Sequence, residues 1–243
     1  MTKVNNYVEF LNNPNVNRIL VVGDIHGQYD LLMKALKKLN FDPESELLIC
    51  VGDLVNRGEG NLEAVALLDK PWFYSVRGNH DQMCIEGLSN TKMKQAHKAE
   101  SGEWFYELSD KQQEKIFNKF SELPFLLEVK YRGFKFGVVH GDIHVNDWEQ
   151  FKSLFNQQDN DWIERLQNNI IWGRTRIEHQ DSKAFTAVAN IDYIFLGHTI
   201  VKKPTVLDNC HYIDTGAYNT GDFSFAIFDN TGMSVQTIKG KKP

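Results

Sequence analysis

The chain has 243 residues, 42% of them hydrophobic, and its 27 Lys and Arg against 32 Asp and Glu leave a formal net charge of −5. That balance suits a globular core of ordinary size and excludes a disordered or collagenous chain. It also argues against a general binder of nucleic-acid polymers, so any affinity for anions must come from a local site. Cys50, Cys84 and Cys210 form no CxxC pair, and so sparse a count fits a reducing compartment. The opening residues MTKVNNYVEFLNN lack the basic and apolar regions of a signal peptide, and no apolar run is long enough to span a bilayer. The expected location is the cytoplasm, with no membrane partner.

In chain order, Arg18 to Val22 reads as a buried strand ending in Gly-Asp, and Leu31, Leu32, Ala35, Leu36 and Leu39 recur at helical spacing. Leu47 to Val51 is a second strand, again closing on Gly-Asp. Leu62 to Leu68 reads as helix, and Trp72 to Val76 as a third strand. The stretch from Thr91 to Leu123 is polar and mostly helical. Strands are expected at 125–130 and 134–140, and a helix near 162–169. Short strands follow at 193–196, 205–207, 211–214, 224–228 and 233–237. Alternation of strand and helix predicts an α/β fold, and the absence of a repeat or linker predicts one domain over residues 1–243.

The polar residues fall in a pattern. Five apolar runs end in Gly23-Asp24-Ile25-His26-Gly27, Gly52-Asp53-Leu54-Val55-Asn56-Arg57-Gly58, Gly78-Asn79-His80-Asp81, Val139-His140-Gly141-Asp142 and Leu196-Gly197-His198-Thr199. Any one of these is an ordinary strand exit or turn. Five together, all rich in metal-ligand types, are not, because open α/β sheets build their sites beyond the carboxyl ends of strands. Asp24 and His26, two residues apart, point to one side of an extended backbone. Carboxylate, imidazole and amide oxygen, with no adjacent thiol, suit Mn, Fe, Co, Ni or Zn.

The ordered set GDIHG, GDLVNRG, GNHD, VVHGD and LGHT resembles the calcineurin-like metallophosphoesterases. Within them the chain is similar to the phosphoprotein phosphatase branch of the bacteriophage lambda type, through Pro71-Trp72-Phe73, Val76-Arg77-Gly78, Ile171-Trp172-Gly173-Arg174 and Tyr212-Ile213-Asp214-Thr215-Gly216. The resemblance implies an α/β/β/α sandwich of two mixed sheets flanked by helices. It implies two divalent cations, Mn²⁺ foremost with Fe, Zn, Ni and Co as alternatives. Asp24 and His26 would hold the first, Asp53 would bridge both, and Asn79, His140 and His198 would complete the second. A water between the cations would attack a phosphate monoester of a phosphoprotein or small molecule in line. His80 would protonate the leaving oxygen, and Arg57, Arg77 and Arg174 would hold the phosphate, with Arg176 as a substitute for Arg174.

The sequence departs from the family twice. Asn56 stands where the family's GDxxDRG carries a carboxylate paired with the counterpart of His80. Its amide oxygen is expected to accept one hydrogen bond from that imidazole without supplying charge, which favours substrates with good leaving groups. GNHD stands in place of GNHE, and GDLV-x-RG together with GNHD is also similar to the bacterial diadenosine tetraphosphatases, so dinucleoside polyphosphates are the alternative substrate. Asp142 is expected either to orient an imidazole or to face solvent. His144 reads as a chance match, and His97, His179 and His211 as solvated or structural. Trp104, Phe105 and Tyr106 are expected to pack a helical insert onto the core, with a cap over the site as the other reading.

Overall fold

The computed structural model describes residues 7–157 and 159–242, so the first six residues, Gln158 and Pro243 of the expected domain lie outside the described residues. In chain order the elements are β1 (Val8–Asn12), β2 (Arg18–Val22), α1 (Tyr29–Lys38), β3 (Glu46–Cys50), α2 (Asn61–Ala66), β4 (Phe73–Ser75) and α3 (Asn79–Glu86). Then come α4 (Thr91–Ala99), α5 (Glu103–Tyr106), α6 (Asp110–Glu122), β5 (Leu126–Tyr131), β6 (Phe134–Val139), α7 (Trp148–Ser153), α8 (Asn160–Trp172) and α9 (Thr175–Glu178). The chain closes with β7 (Tyr193–Leu196), β8 (Thr205–Leu207), β9 (Cys210–Tyr212), α10 (Ala217–Thr220), β10 (Phe223–Asp229) and β11 (Gly232–Ile238).

The strands form two mixed sheets, ordered β1-β5-β6-β7-β9-β8 and β11-β10-β2-β3-β4. Period-two alternation sets the layers. Ile19, Val21, Leu47 and Ile49 face the other sheet and meet Leu127, Val129, Phe136, Val138 and Phe195. Leu20, Val22, Leu48 and Cys50 face outward onto Leu32 and Leu36 of α1, Val65 of α2 and Phe120 of α6. Across the molecule Leu126, Val139 and Leu196 pack against Trp148 and Phe151 of α7 and Ile170 of α8. The result is the α/β/β/α sandwich, with its middle sealed by stacked rings such as Phe136 on Phe228 at 4.2 Å. Both rings are buried, each contributing roughly 1.5–3 kcal/mol.

β1 has no counterpart in the sequence reading. It is a short edge strand with Phe10 half-exposed, and it pairs in parallel with β5, Val8 against Leu126. Its partner is so distant that local periodicity carries no trace of it. What positions the site is strand direction. β2, β3 and β4 run parallel in one sheet, and β6 and β7 run parallel in the other. Their carboxyl ends open at a common edge.

Candidate active site

Each of the five polar clusters leaves one of those strands. Asp24 and His26 follow β2, Asp53 follows β3, Asn79 and His80 follow β4, His140 follows β6 and His198 follows β7. The structure brings all seven together. Asp53 is the centre: its Oδ2 lies 3.4 Å from His140 Nε2, 3.6 Å from His26 Nε2 and 4.0 Å from His80 Nε2. Ligand atoms of His26, Asp53 and His80 lie within 4.8 Å of one another, and so do those of Asp53, His140 and His198. Asp24 Oδ2 is 3.8 Å from His26 Nε2, and Asn79 Oδ1 is 2.9 Å from His140 Nε2. Asp53 thus belongs to two neighbouring clusters at once.

The donor set fits divalent cations. His26 Nδ1–H donates to the Val55 carbonyl at 3.0 Å and His140 Nδ1–H donates to the Val51 carbonyl at 2.8 Å. Each bond leaves the Nε2 lone pair aimed at Asp53, the arrangement by which proteins orient metal-binding imidazoles. His198 Nε2 is buried with no hydrogen-bond partner among the described residues. Burial, with Asp214 and Asp53 close by, pushes the Asp24 carboxyl well above its usual range. Burial also pushes the His80 and His198 imidazoles down to about 3. Buried carboxylates crowded together beside neutral imidazoles call for a cation between them.

The loops carrying these groups are strained. His26, Asp53, Asn56, Arg57 and His198 all have positive φ, between 46° and 73°. Each such residue costs of order 1–3 kcal/mol and persists only where its surroundings hold it. One holder is Asp81, whose carboxylate accepts from the backbone N–H groups of Gly78, Asp53 and Leu54 at 2.9, 3.1 and 3.0 Å. GNHD therefore serves here as a clamp on the Asp53 loop. The clue in the sequence is an acid at the third position of a helix, where it caps the helix N-terminus. Gly78 lies against Asp53 so closely that a methyl there would collide with both its carboxylate and its backbone nitrogen. Gly78→Ala is expected to lower stability by roughly 1–3 kcal/mol and to displace Asp53, read as a lower urea midpoint together with weaker metal binding. Unchanged metal affinity would show that the contact is slack.

Asn56 does the opposite of what its position suggested. It is fully buried, and its Oδ1 accepts from Trp104 Nε1–H at 2.9 Å and from His97 Nε2 at 3.2 Å. An indole N–H can only donate, so the amide oxygen must face Trp104. The NH₂ group therefore faces His80 Nδ1, at 2.8 Å, and donates to it. His80 Nδ1 is an acceptor, its proton sits on Nε2, and that Nε2–H points at the Asp53 cluster. His97 is a buried structural imidazole, its Nδ1 held by Tyr106 Oη at 2.9 Å. Phe105 is buried in the helix-side core as expected, while Trp104 and His97 carry the insert through to the site.

The arginines divide. Arg57 donates to Tyr218 Oη at 2.9 Å and to Glu100, and its charge bears on His26 and His80. Arg174 precedes α9 and its charge bears on His198; no side-chain hydrogen bond or ion pair holds it among the described residues. Arg77 does not join the site. Its guanidinium donates to Gln82 Oε1 and to the Ser121 and Leu123 carbonyls, and it stacks on Phe125 at 4.6 Å. Preceding the turn that carries Asn79, it points down into the body of the fold. Arg176 is likewise spent: it is buried and donates to the Ile143, Val145 and Thr186 carbonyls and to Asn146 Oδ1. Asp142 neither orients an imidazole nor faces solvent. It accepts from the N–H of Thr175 at 2.7 Å and so ties the His140 loop to the segment holding Arg174. His144 packs edge-on against Phe151, His211 is buried, and His179 is exposed at the end of α9. Asp214, to which the sequence assigns no metal role, is a buried carboxylate whose charge acts on Asp24 and whose Oδ1 accepts from Gly216 N–H at 2.8 Å.

The sequence model of the calcineurin-like phosphoesterases matches residues 17–202. The chain is 33% identical over 218 residues to serine/threonine-protein phosphatase 2 of Escherichia coli (strain K12), covering 88% of this chain and 94% of that one. It is 26% identical over 218 residues to the asymmetrical bis(5'-nucleosyl)-tetraphosphatase PrpE of Halalkalibacterium halodurans, covering 81% and 84%. A solved structure described as a candidate diadenosine tetraphosphatase has the same fold, with a TM-score of 0.67 at 20% identity over 98% of this chain and 99% of that one. With ligand groups at five strand ends meeting around Asp53, this chain belongs to the calcineurin-like phosphoesterase family.

Proposed function

We propose that the protein is a metal-dependent phosphatase that hydrolyses phosphate monoesters on Ser and Thr side chains of phosphoproteins, working as a single domain in the cytoplasm. What supports this most directly is Asp53, one carboxylate shared by two buried ligand clusters at the sheet edge. Asp24, His26 and Asp53 would hold one divalent cation, and Asp53, Asn79, His140 and His198 the other. Mn²⁺ is the first choice, before Fe, Zn, Ni or Co. When bound, the pair supplies an activated water and the positive charge that an in-line displacement requires.

The remaining work falls to the chain. Arg57, whose charge bears on His26 and His80, and Arg174, whose charge bears on His198, hold phosphate oxygens with forked donors. His80 presents Nε2–H to the leaving oxygen, its ring fixed by Asn56 at Nδ1 and its backbone N–H by Asp53 Oδ1 at 2.8 Å. A cavity of about 610 Å³ beside Arg57, lined also by Gly27, Tyr29, Gly58 and Glu63, gives the rest of a substrate somewhere to lie. The net charge of −5 speaks against a nucleic-acid polymer as partner, and no helix among the described residues is long and apolar enough to cross a membrane.

The second reading is hydrolysis of dinucleoside polyphosphates, favoured by GNHD and by the likeness to the tetraphosphatases. Protein reconstituted with Mn²⁺ and assayed on phosphoserine and phosphothreonine peptides beside diadenosine tetraphosphate separates the two. The peptides are expected to turn over with the higher kcat/KM. A clear preference for the dinucleotide would replace the first reading with the second.

A further inference from the structure

We propose that Glu100 sets the affinity of the site for its substrate, by occupying Arg57 in the free enzyme and yielding it to the incoming phosphoryl group. The inference rests on the reading of Arg57 as a phosphate contact.

Arg57 already has partners before any substrate arrives, with two of its five N–H donors engaged. One terminal nitrogen donates to Tyr218 Oη at 2.9 Å, the other pairs with the Glu100 carboxylate, and the guanidinium lies 4.7 Å from the Tyr218 ring centre. Tyr218 in turn sets its ring edgewise to His26 at 5.1 Å, so the guanidinium is anchored beside the ligand cluster. A carboxylate presents two oxygens to a guanidinium fork in the way a phosphoryl group does. The same N–H group cannot serve both.

Glu100 does not reach Arg57 by accident of a loose loop. It caps the end of α4, its backbone N–H bonded to the Ala96 and His97 carbonyls. Three residues earlier His97, and four residues later Trp104, both bond Asn56, the residue next to Arg57. Ser101, with φ of 65°, and Gly102, packed against the His97 ring, fold the intervening turn tightly. The insert thus holds Glu100 at a fixed place opposite Arg57, and only its side chain is free to move. That side chain is 42% exposed and has no other partner among the described residues, so it can turn into water. An exposed pair of this kind is weak, and a phosphoryl dianion outbids a single carboxylate for the guanidinium.

Removing the negative charge should therefore tighten phosphate binding. For Glu100→Gln in the Mn²⁺-loaded protein, calorimetry with inorganic phosphate should give a Kd lower by about two- to fivefold, with a matching fall in KM for an aryl phosphate. The difference should shrink as ionic strength rises. In an Arg57→Ala background, where phosphate binding is itself weakened, Glu100→Gln should have no effect, whereas a merely structural role for Glu100 would persist. Phosphate affinity unmoved by Glu100→Gln, while Arg57→Ala still weakens it, would overturn the proposal and leave Arg57 as a phosphate contact. Phosphate affinity unmoved by Arg57→Ala would overturn both.

Discussion

Asp53→Asn is expected to abolish phosphatase turnover, by roughly 10³-fold or more, while the chain stays folded. Removing one group that stabilises developing charge commonly costs about 10²–10³ in kcat. Asp53 does more than one such job, since its Oδ2 stands within 4.0 Å of three imidazoles from three different loops. An amide keeps the shape and the Oδ1 contact to the His80 backbone but loses the charge shared by the two clusters. Metal content measured on the dialysed protein should fall below two per chain, and the far-ultraviolet circular dichroism should match the wild type. Retention of both metals with activity within tenfold would mean that Asp53 does not bridge them.

Asn56→Asp is expected to raise turnover of alkyl phosphates relative to aryl phosphates by about ten- to a hundredfold, at or below the lower end of the roughly 10²–10⁴ that general acid catalysis can supply. The hydrogen bonds decide the direction. In the wild type the amide must give its oxygen to Trp104 and His97, so it can offer His80 only a donor. A hydrogen atom pressed against Nδ1 opposes a second proton on the ring. An aspartate would accept from Trp104 and His97 with one oxygen and from His80 Nδ1–H with the other, so all three partners become donors to one carboxylate. The imidazolium that results can give its Nε2 proton to a poor leaving group. Alkoxide leaving needs that proton, while a phenoxide departs nearly as well without it. An unchanged alkyl-to-aryl ratio, measured on folded protein with equal metal content, would show that His80 is not the acid.

The site was legible in the sequence wherever its chemistry is local. Asp24, His26, Asp53, Asn79, His140 and His198 each sit just past an apolar run, and a strand exit can be read from a handful of residues. The layers were legible for the same reason, since alternation in β2 and β3 already sorts Ile19 and Val21 from Leu20 and Val22. The arginines were not. Arg57, Arg77, Arg174 and Arg176 all lie in or beside a motif, and a guanidinium on a long stem can point toward the site or away from it. Arg77 and Arg176 point away because the carbonyls of Ser121, Leu123, Val145 and Thr186 need donors inside the fold.

From its order of residues alone this protein had its metal-ligand types, their strand-end positions and the layered α/β plan, because backbone period and side-chain chemistry are properties of short segments. Tertiary structure alone decided which way the Asn56 amide faces, which arginines remain available, and that Glu100 meets Arg57. Those are contests for hydrogen bonds between groups from separate segments of the chain, 41 and 48 residues apart for Asn56 with His97 and Trp104 and 43 for Arg57 with Glu100. The winner depends on which donors and acceptors the packed core brings within 3 Å or so of each other.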